Sequence, residues 1–338
     1  MNAFVRFTAL MVALTSCGVF GAAAAEPIRL KFAFFASDRE YAYQGVVKPF
    51  VDAVNLDAKG IVDINLFPGG TLGRSYTEQA QLVLDGTADL AWLNPSLTPE
   101  LFPDNAVLEL PGLFRDASET SRIYTRLVAA NALRGYENFV VVAAVGTRPL
   151  AIHMQPPISS LEDLRGKKIR SLNATEGQVL RALGMVPEVM PINRTAEAIN
   201  RGTIDGSTAP PAVLIDFGIA RFAKHHYFLD LGTAPLLMVM SRQAFDGLPK
   251  AGQDTIRKYS GEWTATRYIQ STESYDRSVL EPLKADPKRK VMHPSAAELE
   301  TAGTAFKTVI DAWTVRDRRN PQLLKLVHAE LARLRGGH

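Results

Sequence analysis

The chain has 338 residues, 46% hydrophobic and 22% charged, with a formal charge of 38 − 35 = +3. That composition argues against wholesale disorder and a collagen-like repeat, and the charge is too small for a nucleic-acid-binding surface. The single cysteine, Cys17, rules out an internal disulfide and a multi-cysteine metal site, and at roughly 150 residues per domain the length fits two domains.

The chain opens with Arg6, an apolar stretch from Phe7 to Leu14, and the small residues Ala22 to Ala25. This predicts a secretory signal peptide over residues 1–25, cleaved after about Ala25. It is too short for a membrane span, which needs about 20 consecutive apolar residues. Leu14-Thr-Ser-Cys17 also resembles a lipoprotein box, in which Cys17 would be lipidated. Both readings export the protein.

Ile28, Leu30, Phe32 and Phe34 recur with the period of a strand. Ser37 or Asp38 can cap a following helix with Val47, Phe50, Val51 and Val54 on its buried face. Val62, Ile64 and Leu66 form a second strand, ended by Pro68-Gly69-Gly70. A helix over residues 77–84, a strand over 89–93 and the apolar run Val140 to Val145 follow. This alternation predicts a parallel α/β sheet.

The second half repeats the theme, with strands over residues 168–172, 186–190 and 236–240 and helices over 176–183 and 195–200. Gly86-Thr-Ala-Asp89 and Gly202-Thr-Ile-Asp205 each follow a helix and precede a strand. Two lobes of one topology would produce such a pair. After Ser241 the chain is mostly helical, with Pro282 and Pro287 as interruptions. The last helix, Pro321 to Leu334, carries an apolar stripe that must be buried against another lobe or a second subunit. A homodimer through this helix is one expectation.

Catalytic motifs are missing. The sequence has no H-E-x-x-H, no G-x-S-x-G, no phosphate loop and no dinucleotide fingerprint. The histidines, including His153 and the adjacent His225 and His226, read as surface or boundary residues. We expect no metal, no cofactor and no enzymatic activity; export, two lobes and the missing motifs favour a binding protein.

Seven segments, in order, resemble the solute-binding proteins of tripartite ATP-independent periplasmic (TRAP) transporters. Leu161 to Arg170 (LEDLRGKKIR) is similar to the family's DLKGLKIR. Phe67 to Gly73, Gly86 to Asp89, Leu108 to Phe114, Arg181 to Pro187, Ala198 to Gly206 and Phe245 to Pro249 with Gln253 match further family segments. The resemblance implies an α/β, two-lobed, periplasmic-binding-protein-like fold with a ligand cleft and helical C-terminal segments. Residues 26–147 plus about 237–275 would form one lobe. Residues 148–236 plus about 276–338 would form the other. The implied function is a periplasmic receptor that closes on a small carboxylate and delivers it to TRAP membrane subunits. A ligand-sensing co-receptor for a membrane signalling protein is the alternative.

In this family the arginine ending the GLKIR segment grips the ligand carboxylate; here it is Arg170. A guanidinium suits that task because it is always charged and presents a planar fork of donors. Arg148 is the second expected contact and would complete an arginine clamp. Ala209 stands where many members have Asn or Trp, which would leave room for a bulkier or more apolar acid. Trp92 and Asn94 could line the opposite wall, with Trp92 otherwise a core residue. Tyr41 is a looser candidate.

Overall fold

The computed structural model describes residues 26–336. The expected signal peptide and Cys17 lie outside the described residues. The described strands form two sheets. In the first, β1 (Ile28–Phe34) pairs in parallel with β2 (Val62–Phe67) and β3 (Leu90–Leu93). Leu30, Phe32 and Phe34 face one apolar layer with Phe50 and Val54. Ala33, Ala91 and Leu93 face a second layer with Ile123 and Leu127. A sheet covered on both faces explains the continuous apolar run in β4 (Phe139–Gly146).

The second sheet is built around β6 (Lys168–Ser171), which pairs in parallel with β7 (Val186–Val189) and β8 (Gly206–Ala209). The spatial orders 2-1-3 and 7-6-8 are the same topology. The short sequence repeat performs one task in both. Gly86 and Gly202 end their helices with φ of 76° and 68°, a left-handed conformation that glycine adopts without penalty. Each following Asp then locks the central strand. The Asp89 carboxylate accepts from Lys31 N at 2.8 Å, and Asp89 N donates to Lys31 O at 2.9 Å. Asp205 and Lys168 repeat both bonds at 2.7 Å.

The sheets are mixed, not parallel throughout as expected. β10 (Pro235–Ser241) lies between β3 and β4 and runs antiparallel to both. β5 (Ala151–Met154) runs antiparallel to β8 and to β9 (His225–Tyr227). Both β5 and β10 arrive from the other lobe, so each enters its sheet at the cleft end and runs back. The two crossovers are tied together: Thr147 N donates to Ala234 O at 3.0 Å and Leu150 N to Gly232 O at 2.8 Å. β11 (Lys290–Met292) adds to β9 in parallel.

The helix Glu262–Ala285 joins the lobes, with Tyr268 in the first lobe's core and Val279 and Leu283 in the second's. The expected interruption at Pro282 does not occur. Pro282 sits in the last turn, where its missing N–H removes one bond, that to the Ser278 carbonyl, and the helix runs only three residues further.

The final helix, Asn320–Gly336, was expected with the second lobe. Instead Leu323, Val327 and Leu331 pack into the first lobe with Ile123 and Leu127. The Arg335 guanidinium holds both oxygens of Glu119 at 2.7 Å. That fork-to-fork pair and the matching apolar stripe explain the placement, and the stripe is covered by its own chain. Leu331→Ala should therefore lower folding stability by about 2–5 kcal/mol in urea unfolding of the monomer. An unchanged midpoint would mean that this face packs on something else.

Candidate functional site

The C-terminal ends of β1, β3, β6 and β8 converge on a cavity of about 90 Å³ between the sheets. That is several times the roughly 10–15 Å³ that one water requires. Parallel α/β sheets place ligands at this end because helix N-termini and loops gather there.

Arg170 enters from β6. Strand alternation turns Ile169 into the core and leaves Arg170 on the cleft side, only 3% exposed. Its Nε donates to Met190 O at 2.9 Å and its Nη1 to Thr208 O at 3.3 Å. Nη2 is buried and has no partner. Among the described residues no carboxylate lies within ion-pair distance of this guanidinium. Burial lowers its pKa below the ordinary arginine value, against the opposing pull of Glu176 and Tyr76.

Glu176 is the carboxyl group behind it. Asn173 caps the helix Ala174–Ala182, accepting from Glu176 N at 2.9 Å. The Glu176 side chain reaches back to accept from Leu172 N at 2.7 Å and from the Thr208 hydroxyl. Burial pushes its pKa up to about 7, opposed by Arg170. Its oxygens are thus spent on the protein, and it is a poor counter-ion for Arg170.

The remaining walls are largely aromatic. Phe35 and Tyr76 stack with centroids 4.7 Å apart, and Tyr41 stacks on Tyr275 at 5.3 Å. Tyr41 Oη lies 3.2 Å from Tyr268 Oη, and Trp92 leans on the same tyrosine. The Asn94 oxygen accepts from Ser96 N at 2.9 Å, leaving its amide nitrogen for the cavity. Ala209 is buried in the wall and presents only a methyl group.

Arg170, Trp92, Asn94, Ala209 and Tyr41 thus meet in one place. Arg148 does not join them. It lies in a separate groove beside Glu273 and Asp276, its guanidinium 5.9 Å from the Phe228 ring centre. The charges of Asp230 and Asp276 interact with it there. Its neighbours Thr147 and Leu150 face the cavity instead, so the geometry does not form a two-arginine clamp. Glu40, Tyr76, Phe35 and Glu176 are site residues that the sequence reading missed. Only Glu176 carried a signal, the cap spacing Asn-x-x-Glu immediately after a strand.

The helix after β1 is capped by Glu40, not by Ser37 or Asp38. The Glu40 carboxyl accepts from Ala42 N at 2.9 Å and Tyr43 N at 3.1 Å. The histidines also depart from expectation. His153 and His226 are fully buried and meet at Nδ1–Nδ1 2.8 Å, because β5 and β9 pair directly. His153 Nε2 lies 3.0 Å from the Ala209 carbonyl and donates to it. The His153 Nδ1 then accepts from His226 Nδ1–H, since a neutral ring has one donor and one acceptor. The pair backs the cavity wall. No cluster of three or more metal-ligating side chains exists among the described residues.

Two lobes of one topology, crossed by a paired hinge and enclosing a buried cation, define a two-lobed solute-binding protein. The chain belongs to the family described as bacterial extracellular solute-binding protein, family 7 (DctP), whose profile matches residues 32–316. It is 25% identical to the C4-dicarboxylate-binding periplasmic protein DctP of Rhodobacter capsulatus over 277 residues, 78% of each chain. It is 26% identical to the 2,3-diketo-L-gulonate-binding periplasmic protein YiaO of Escherichia coli, over 69% of this chain and 71% of that one.

Among solved structures, it resembles a TRAP solute-binding protein from Rhodoferax ferrireducens in complex with copurified benzoate. The TM-score is 0.83 at 25% identity, covering 90% of this chain and 98% of that one. A marine metagenome TRAP solute-binding protein specific for aromatic acid ligands, bound to 3-hydroxybenzoate, superposes with a TM-score of 0.84. Its identity is 24%, over 91% and 99% of the two chains. The protein is therefore an extracytoplasmic transport receptor, not an enzyme. No described helix is long and apolar enough to cross a membrane.

Burial holds the His153 pKa down at about 4 and lowers that of His226 further. Nitrogen-detected NMR at about pH 6, near the ordinary imidazole pKa, should show both rings neutral. His153 should carry its proton on Nε2 and His226 on Nδ1. Titration of either ring between about pH 6 and 7 would contradict the buried pair.

Proposed function

We propose that this receptor binds an aromatic monocarboxylate, with Arg170 as the group that holds the carboxylate. The observation that carries the reading is Arg170 itself: a buried guanidinium whose protein partners are carbonyl oxygens and whose Nη2 is unpaired. A buried charge without a counter-ion is costly, and a ligand carboxylate supplies the missing charge together with the missing acceptor. The rest of the ligand must suit the rest of the cavity. Stacked Phe35 and Tyr76, Trp92, and the small Ala209 favour a flat apolar body over a hydroxylated sugar acid or a small keto acid. The relatives bound to benzoate and to 3-hydroxybenzoate support this choice of ligand class.

In this reading the exported protein begins near Glu26. Ligand entry is followed by hinge closure about the crossovers at 147–150 and 228–234, and the closed form hands the acid to the TRAP membrane subunits. Closure buries the ring and removes competing water from the carboxylate–guanidinium pair, which strengthens it.

Titration calorimetry with benzoate tests the assignment. The unmodified receptor should bind it, and Arg170→Ala should weaken binding by at least about 30-fold, the cost of truncating one partner of a buried charge pair. Arg170→Lys should recover part of the loss, because it restores charge but not the fork. Arg148→Ala should leave affinity unchanged. Equal binding by the unmodified receptor and Arg170→Ala would defeat the role given to Arg170.

A further inference from the structure

We propose that Glu40 sets which aromatic acids are retained, by donating a hydrogen bond to a hydroxyl carried on the ring away from the carboxylate; this rests on the aromatic-acid reading above. Glu40 follows β1 in the first lobe, whereas Arg170 lies on β6 in the second, so the two ionisable groups face the cavity from opposite lobes.

The Glu40 side chain is only 8% exposed, and no cation lies within ion-pair distance of it among the described residues. Its two oxygens are unequal. Oε2 accepts from both Ala42 N and Tyr43 N. Oε1 has no protein partner among the described residues. Of the polar groups around it, two tyrosine hydroxyls are committed elsewhere, while Asp216 Oδ2 and the Tyr76 hydroxyl carry no bond among the described residues and neither is bonded to Glu40. Tyr41 is paired with Tyr268, and the Tyr275 hydroxyl donates to Asp216 at 2.7 Å.

Burial, and next the charge of Asp216, push the Glu40 pKa up to about 8. At neutral pH the group is therefore mostly a neutral acid. Its proton belongs on Oε1, because Oε2 is occupied by two backbone donors. A neutral carboxyl at the wall of this aromatic cavity, with one O–H that makes no bond to the described residues, is a directional donor available to a ligand. Its complement is a neutral oxygen on the ligand. A site built to make such a bond discriminates against a ligand lacking the oxygen, because the donor is then left buried and unpaired.

Three receptors distinguish the possibilities: the unmodified protein, Glu40→Gln and Glu40→Leu. Each is titrated with benzoate, 3-hydroxybenzoate and 4-hydroxybenzoate. Glutamine keeps the arrangement of a protonated glutamate, with one oxygen for the two backbone donors and an N–H for the cavity. Leucine keeps neither.

The unmodified receptor should bind one hydroxybenzoate roughly 3- to 10-fold tighter than benzoate, the range of one net hydrogen bond. Glu40→Gln should keep that preference and Glu40→Leu should erase it. Should loss of the cap unfold the leucine variant, seen as a lost circular-dichroism melt, the glutamine variant carries the test alone. A preference lost in Glu40→Gln would make Glu40 an anionic acceptor and overturn the proposal. So would equal affinities in the unmodified receptor, or a preference that survives in Glu40→Leu. Failure of the unmodified receptor to bind benzoate and both hydroxybenzoates would overturn the aromatic-acid reading itself, and Glu40's role with it.

Discussion

A guanidinium taken out of water costs several kcal/mol unless a charge and acceptors replace its hydration. Arg170 receives acceptors from Met190 and Thr208 but no charge at close range. Much of the surrounding structure serves to keep it so. Glu176, the obvious counter-ion, is tied to Leu172 N and to the Thr208 hydroxyl and is pushed toward its neutral form by burial. Thr208 in turn presents its carbonyl to the arginine, and its hydroxyl, with a single hydrogen, sits between the Glu176 carboxyl and the Arg170 carbonyl, 3.0 Å from the latter. The cation is thereby positioned and left unsatisfied. On the proposed reading, in which the protein binds and then releases a carboxylate, this incompletely compensated charge is what would confer affinity, without any covalent step.

The fold supplies the movement that such a site requires. Each lobe has the same parallel three-strand unit, locked by the same Asp-to-strand bonds, so each can remain rigid. The connections between them are few: two hydrogen-bonded crossovers, the helix Glu262–Ala285, and the helix Ala296–Thr314, whose Val309 and Trp313 lie in different lobes' cores. Rigid bodies joined by short crossovers move by hinge bending. The cavity lies directly against the crossovers, lined by Thr147 and Ala234. Small rotations there would change the enclosure of a bound ligand, as the proposed closure requires.

Much of this was legible in the sequence because it depends on local rules. Strand alternation identified β1 and β2, a continuous apolar run identified β10, and the Gly-Thr-x-Asp pair marked the lobe repeat. Arg170 was legible because it ends a strand within a segment that resembles a family. The illegible parts depend on non-local contacts. Arg148 is one residue from Thr147, and only the crossover geometry decides which of them faces the cavity. His153 and His226 are 73 residues apart, and nothing local announces that β5 will pair with β9. Glu40 is a capping residue in an irregular segment, and Tyr76 follows a glycine turn. Their side chains reach the site only through the way the loops pack. The final helix showed its apolar stripe plainly but not its partner, which is set by Ile123, Leu127 and the Arg335–Glu119 pair.

The central claim is that a ligand carboxylate completes the coordination of Arg170. The most direct measurement is a crystal structure of the exported receptor grown with benzoate. The account predicts a closed form with a carboxylate oxygen within hydrogen-bond distance of Arg170 Nη2 and the ring between Phe35, Tyr76 and Trp92. A benzoate seated elsewhere, or an Arg170 that turns to pair with Glu176 while the ligand is bound, would contradict it.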